Sequence, residues 1–467
     1  MISKSNIKIH QNQHLEMLIA RYNERTKTSK KLTQTYRQFL ADPRVQNGFN
    51  LTTKEMCYPI IGKSSKGSKI WDIDGNQYVD FMMGLGVNLF GHNPPFIKEA
   101  LEEQLEKGIQ LGPQSEYVGE VAEMISSLTG MERVAFANSG TEAVMTAIRL
   151  ARTLTGRNKI ALFSGSYHGH FDGTLAKAKI VDGNSQVVPI APGIPSNFIE
   201  DVLVLDYGNP QSLEVIKAHE NQLAGVLVEP VQSNMLHLQP KAFIQQLRHL
   251  TTASGIALIF DEMITGFRIH PGGAQAWFDV EADLATYGKI VGGGMPIGII
   301  AGKAIYMNGI DGGVWNYGDS SCPEAKTTFV AGTFCKHPLA IAAARAVLKY
   351  IKAQGAGLQQ ELNQRTLQFV EALNTYFEKD EVPFRLTNFA SLFGPDYTKI
   401  SEFSQGLSLL PYHLLDRGII LRGSGGYLST AHSDEDLDYM INAIKDSIKE
   451  LREGGFLGSE SDKYTKT

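Results

Sequence analysis

Short apolar runs recur through the middle of the chain, at Val134–Ala137, Ile160–Phe163, Val202–Leu205, Val226–Val228 and Ile256–Phe260. Segments of helical periodicity lie between several of them, notably 141–154 and 240–253. Strands alternating with helices predict an α/β layer architecture around a mostly parallel sheet. Upstream, residues 69–81 alternate apolar and polar on either side of Asp74-Gly75, which predicts a β-hairpin. Pro94 opens a helical stretch carrying Ile97, Leu101 and Leu105. Pro338–Ile351 and 359–378 read as long helices. Near the start, Leu15, Leu18, Ile19 and Tyr22, then Leu32, Tyr36 and Leu40, recur at helical spacing. The stretch Gly454–Thr467 is rich in Gly, Ser and charge and is expected to fray.

The 467 residues, 43% hydrophobic and 20% charged, exclude a disordered chain and leave room for more than one domain. Lys and Arg number 44 against 49 Asp and Glu, a net charge of −5 that argues against nucleic acid as a partner. No apolar run approaches the ~18 residues of a membrane span. Met1–Met17 is polar and lacks the apolar stretch of a signal peptide, so no membrane and a cytoplasmic location are expected. Cys57, Cys322 and Cys335 are too few and too scattered for a disulfide framework or a zinc site. Residues 1–44 stand apart, with nine basic residues against three acidic ones. They form either an amphipathic helix packed on the body or a linker or docking arm.

Three motifs mislead. Gly62–Lys69 has the wrong order for a P-loop and precedes a hairpin rather than a helix. Ile259–Glu262 resembles a magnesium-binding strand end but has no P-loop to serve. His168-Gly-His170-Phe-Asp172 has no further ligand at metal spacing, so no metal is assigned.

Four other places carry chemistry. Asn138–Ala143 joins a strand to a helix, and its Ser139, Gly140 and Thr141 offer free N–H groups and hydroxyls to an anion, or a plain N-cap. Asp261 ends a buried strand, where α/β folds bind ligands, or forms a structural ion pair. Lys289 lies between apolar residues and a glycine-rich loop; desolvation there favours the neutral amine that forms Schiff bases, the alternative being a surface lysine. Tyr167 offers a flat ring beyond another strand, or a core aromatic. A phosphate cradle, a carboxylate for a ring nitrogen, a stacking ring and a Schiff-base lysine together describe a site for pyridoxal 5′-phosphate.

These stretches, with Val228–Met235, Phe260–Arg268, Lys289–Gly298 and Gly332-Thr333, resemble the class III aminotransferases of PLP fold type I, glutamate-1-semialdehyde aminomutase branch. The resemblance spans about residues 70–440. It implies a large domain with a mostly parallel sheet and a smaller α+β domain. It further implies that Lys289 bonds the cofactor, Asp261 pairs with its pyridinium, Tyr167 stacks on it, and Ser139, Gly140 and Thr141 hold its phosphate. Gln232 or Asn234 would meet the ring O3′. Thr333 would reach the phosphate of a neighbouring subunit, making a homodimer. The boundaries that follow are 1–50 for the basic helical arm or linker and 51–91 for the first part of the small domain. The large domain is then 92–335, the rest of the small domain 336–455, and the tail 456–467.

A narrower resemblance rests on Leu18–Tyr22, Thr33–Arg37, Lys54–Met56 and Gly86–Gly91. They are similar to the aminotransferase domains of hybrid polyketide–nonribosomal peptide synthetases of the microcystin and mycosubtilin type. That implies an amino acid donor and, as acceptor, a β-ketoacyl thioester on a carrier protein. Aminomutases carry an acid before the Ala-His pair; Leu421–His432 has none, which favours a two-substrate aminotransferase. For a substrate carboxylate the candidate cations are Arg268 and Arg422.

Overall fold

The computed structural model describes residues 4–43, 49–181, 184–400 and 405–457. Most of the proposed tail lies outside them; its first residues are packed rather than frayed, Phe456 against His14 and Leu457 buried in the core. A seven-stranded sheet runs in the order Arg133–Ala137, Gly298–Gly302, Leu284–Gly288, Ala257–Asp261, Leu223–Val228, Lys159–Phe163, Val202–Leu205. Gly298–Gly302 is antiparallel to both neighbours; the other adjacent pairs are parallel. All residues of Leu223–Val228 and Ala257–Asp261 are buried, because helices cover both faces. This burial is why those strands read as continuous apolar runs.

Two strands were not visible as apolar runs. Leu284–Gly288 contains Thr286 and Tyr287, and Gly298–Gly302 is bounded by glycines. Gly298 is required there: a Cβ would come within 2.1 Å of the Ser139 carbonyl oxygen, so the strand can press against the Asn138–Thr141 turn.

The helices fall close to their expected places, at Pro95–Lys107, Gly140–Thr155, Lys241–Ser254, Pro338–Gln354 and Gly357–Lys379. The hairpin Lys69–Asp72 and Gln77–Asp80 turns at Asp74-Gly75, and Gly75 has a positive φ of 89°. Its second strand pairs in parallel with Ile419–Ile420, so one small sheet draws on both ends of the chain.

Near the N-terminus, helices Lys4–Arg25 and Lys27–Tyr36 pack on this second layer. Leu18, Tyr22 and Met56 bury one another. The Asp74 carboxylate accepts from the Thr28 and Ser29 N–H groups at the start of the second helix. Arg21 pairs with Asp416 and Glu450, Lys30 with Glu55, and Lys27 with Glu24, so part of the arm's basic charge is already matched. No helix among the described residues is long and apolar enough to cross a membrane.

Candidate active site

The strand order brings the carboxyl ends of five co-directional strands to one edge of the large sheet. Ser139 follows Ala137, Tyr167 follows Phe163, Glu229 follows Val228, Asp261 ends its own strand, and Lys289 follows Gly288. All five line one cleft of about 850 Å³.

Ser139 is the N-cap of helix Gly140–Thr155, its hydroxyl accepting from the Glu142 N–H at 3.3 Å. Glu142 in turn accepts from the Asn138 N–H at 2.8 Å. Ser139 thus caps the helix and, together with Gly140 and Thr141, lines the cleft at the positive end of the helix. Thr141 Oγ1 contacts His170 Nδ1 at 3.2 Å. Two glycines keep this corner open to a ligand: a Cβ on Gly169 would lie 2.4 Å from Thr141 Oγ1, and one on Gly140 2.9 Å from Met263 Sδ.

Asp261 is 3% exposed. One oxygen lies 2.8 Å from His168 Nδ1, and the other accepts from Thr286 Oγ1 and the Met263 N–H, both at 3.2 Å. His168 thus turns toward Asp261 while His170 turns toward Thr141, so the two histidines of the metal-like motif diverge. His168 Nε2 and Asn138 Oδ1 are buried without a hydrogen-bond partner.

Lys289 sits at a left-handed backbone position, φ 45°, which turns the chain sharply at the strand end. Burial lowers the pKa of its amine below the usual lysine value. The carboxylates of Asp261 and Glu229 work against that, and the Arg268 and Arg422 cations add to it. Tyr167 is 61% exposed at the cleft wall, which removes the core-aromatic alternative.

Glu229 escaped the sequence reading, although it ends a buried strand by the same rule that exposed Asp261. It accepts from the Tyr167 and Ser233 N–H groups at 3.2 and 2.9 Å, and burial raises its pKa. Gln232 is buried, donates to the Ser164 carbonyl at 2.9 Å and leaves its Oε1 unpartnered. Asn234 lines the cleft, and its Oδ1 accepts from Arg422 at 2.8 Å.

Arg268 is corrected as a substrate cation. It is 1% exposed and donates to Ser391 Oγ at 2.8 Å, to the Ile264 carbonyl and to the Gly86 carbonyl. It also stacks 5.2 Å from the centre of the Tyr427 ring, and burial pulls its pKa down to about 10. It ties the two layers together. Arg422 does line the cleft, held by Tyr427 Oη at 3.1 Å and by Asn234; both partners are neutral. Thr333 lies elsewhere, exposed in a separate hollow of about 580 Å³ with Gln110, Phe136 and Cys335.

A buried carboxylate, a desolvated amine and a helix N-terminus around one cleft suit a phosphorylated, aromatic, aldehyde-bearing cofactor. Solved structures share the fold. A transaminase with PLP bound matches at a TM-score of 0.80 and 27% identity, over 92% of this chain and 99% of that one. A β-phenylalanine aminotransferase from Variovorax paradoxus matches at a TM-score of 0.78 and 27% identity, over 94% and 97%. The class is thus a PLP-dependent enzyme of fold type I and transaminase type, working between an amino donor and a keto acceptor.

Residues 52–448 match the model of the aminotransferase class-III family, and the chain belongs to that family. A glutamate-1-semialdehyde 2,1-aminomutase from Methanosphaera stadtmanae is 37% identical over 409 residues, covering 84% of this chain and 92% of that protein.

Proposed function

We propose that the chain is a two-substrate aminotransferase, taking its amino group from an amino acid and delivering it to a β-ketoacyl thioester on a carrier protein. Arg422 carries the two-substrate part of this reading. It is a cation inside the cleft with neutral partners, so it can take a donor carboxylate in a bidentate pair. The segment 421–427 thus presents a cation to the cleft, where an aminomutase-like acid would present a carboxylate. The open mouth beside Tyr167 and the resemblance to synthetase-embedded domains support a tethered acceptor.

Pyridoxal 5′-phosphate supplies an electron sink for the pair left when the donor's Cα–H bond breaks. The chain's own groups do the rest. Lys289, the one lysine among the described residues lining the cleft, would anchor the cofactor and carry the proton between the donor's Cα and the cofactor's C4′. Asp261 keeps the ring nitrogen protonated, and His168 orients Asp261. Ser139, Gly140 and Thr141 would hold the phosphate at the helix N-terminus, and Tyr167 would lie against the ring. Asn234 lines the cleft and Gln232 does not, which supports Asn234 as the O3′ partner. Thr333, remote from its own chain's cleft, completes the site of a second copy in a homodimer.

The test is mass spectrometry of a carrier protein bearing a β-ketoacyl group, incubated with enzyme, cofactor and glutamate or glutamine. Conversion of the ketone to an amine supports the proposal. Inertness on tethered ketones with rapid turnover of free keto acids overturns the acceptor. The identity with the Methanosphaera protein favours a second reading as an aminomutase, and isomerisation of glutamate-1-semialdehyde without an added donor would establish it.

A further inference from the structure

One turn beside the cleft is held in a conformation its residues do not favour. Met83, Gly84, Leu85 and Gly86 take φ values of 46°, 61°, 58° and 90° in succession. Only glycine occupies this left-handed region freely, so Met83 and Leu85 are strained. Both layers hold them there. The Asp80 carboxylate accepts from the Met82 and Met83 N–H groups at 2.8 and 3.2 Å. The buried Arg268 donates to the Gly86 carbonyl, and a Cβ on Gly86 would lie 2.8 Å from the Tyr427 ring. Backbone strain fixed from several sides clusters at functional sites. Here it leaves Met83 buried and presents Leu85, 50% exposed, to the cleft that contains Lys289.

Leu85 and Arg422 come from neighbouring strand ends. Gln77–Asp80 and Ile419–Ile420 pair in parallel, with Asp80 opposite Ile420; Leu85 follows the first strand and Arg422 the second. Tyr427 touches both turns, its Oη on Arg422 at 3.1 Å and its ring against Gly86. A donor carboxylate on Arg422 therefore brings the rest of the donor to Leu85. The lining offers nothing to a second carboxylate. Lys289 and Arg422 are its one lysine and one arginine among the described residues, His168 is turned onto Asp261, and Glu229 and Asp261 are acids. A second carboxylate would leave water without a partner.

Resting on the transaminase reading above, we infer that Leu85 selects the amino donor, which is an amino acid with one carboxylate, held by Arg422, and an uncharged side chain packed on Leu85.

The experiment follows loss of the cofactor's visible band in the PLP-loaded enzyme during single turnovers with alanine, norvaline, glutamine and glutamate. Glutamine and glutamate match in size and differ in charge, so their ratio reads the charge alone. Glutamate should bleach the band at least about tenfold more slowly than glutamine. Norvaline should outrun alanine by about fivefold or more. Leu85→Arg supplies the missing cation and should raise the glutamate-to-glutamine ratio by about tenfold or more. Leu85→Ala should cut the norvaline-to-alanine ratio by about threefold, and stands in if the first variant does not fold. Leu85→Gly suits a φ of 58° and should lose the same selectivity with no fall in Tm.

Glutamate and glutamine reacting alike in the unaltered enzyme overturns the donor class. Ratios unmoved by Leu85→Arg and Leu85→Ala overturn the role of Leu85. A lower Tm in Leu85→Gly with selectivity intact makes the leucine structural and overturns that role too. Failure of every amino acid to bleach the band refutes the transaminase reading instead.

Discussion

His168 Nδ1 and Asp261 Oδ2 lie 2.8 Å apart, both residues almost wholly withdrawn from solvent. Removing the imidazole leaves a buried carboxylate oxygen without its partner, at a cost of about 1–3 kcal/mol. His168→Phe should retain the cofactor yet lose about tenfold to a hundredfold in kcat, and shift its pH profile. His168→Gln, which can still donate, should recover part of the loss. An unchanged profile in His168→Phe would make the contact purely structural.

Lys289→Ala should bind pyridoxal 5′-phosphate through the helix N-terminus and Asp261, while kcat falls by about a thousandfold or more. Absorbance after gel filtration reports the loading, and a coupled assay the turnover. Because burial lowers the amine's pKa, the unprotonated form persists to lower pH than in ordinary lysines. Capture of the cofactor by the apoprotein should therefore stay fast well below pH ~10.5, the usual lysine value.

Arg422→Ala should raise the KM for a carboxylate donor by about tenfold to a hundredfold, the worth of a charged hydrogen-bonded pair. An amine without a carboxylate should be indifferent to the change. Steady-state kinetics with matched donors decides it.

Gly298→Ala drives a methyl into the Ser139 carbonyl and should cost about 1–3 kcal/mol. Thermal unfolding should register the loss. Cofactor affinity should fall with it, since Ser139 opens the helix that faces the phosphate.

The N-terminal helix docks through a histidine pair: His14 Nε2 lies 3.1 Å from His413 Nε2. Burial lowers both, His413 to about 3, despite Glu450 alongside; Arg21 and Arg417 reinforce the lowering. Between pH about 3 and 6.5 the unfolded chain therefore binds protons that the folded one refuses. Stability should fall as pH drops through that window. Limited proteolysis should cut residues 4–36 sooner at pH 5 than at pH 8, and His413→Phe should flatten the difference.

Asp261 and Lys289 were legible because each breaks an apolar run, a pattern local in sequence. Arg422 was visible only as a candidate; that it reaches Asn234, 188 residues away, is a product of folding. His168 was missed as the partner of Asp261 for the same reason. The spacing His168-Gly-His170 resembles a ligand pair, but a positive φ at Gly169 sends the two rings to different partners. Leu284–Gly288 and Gly298–Gly302 escaped notice because close packing on glycine leaves no mark in hydrophobic periodicity.

Helix Lys4–Arg25 rests against elements far along the sequence. Gln11 donates to the Gly455 carbonyl, and Arg21 reaches Asp416 and Glu450. During synthesis these early residues must wait for some four hundred others to leave the ribosome before their partners exist. Until then Leu15, Leu18 and Tyr22 have the nearby Met56, Tyr58 and Ile60 to pack on but lack Tyr412 and Leu415. Completion of this cluster would be among the closing events of folding.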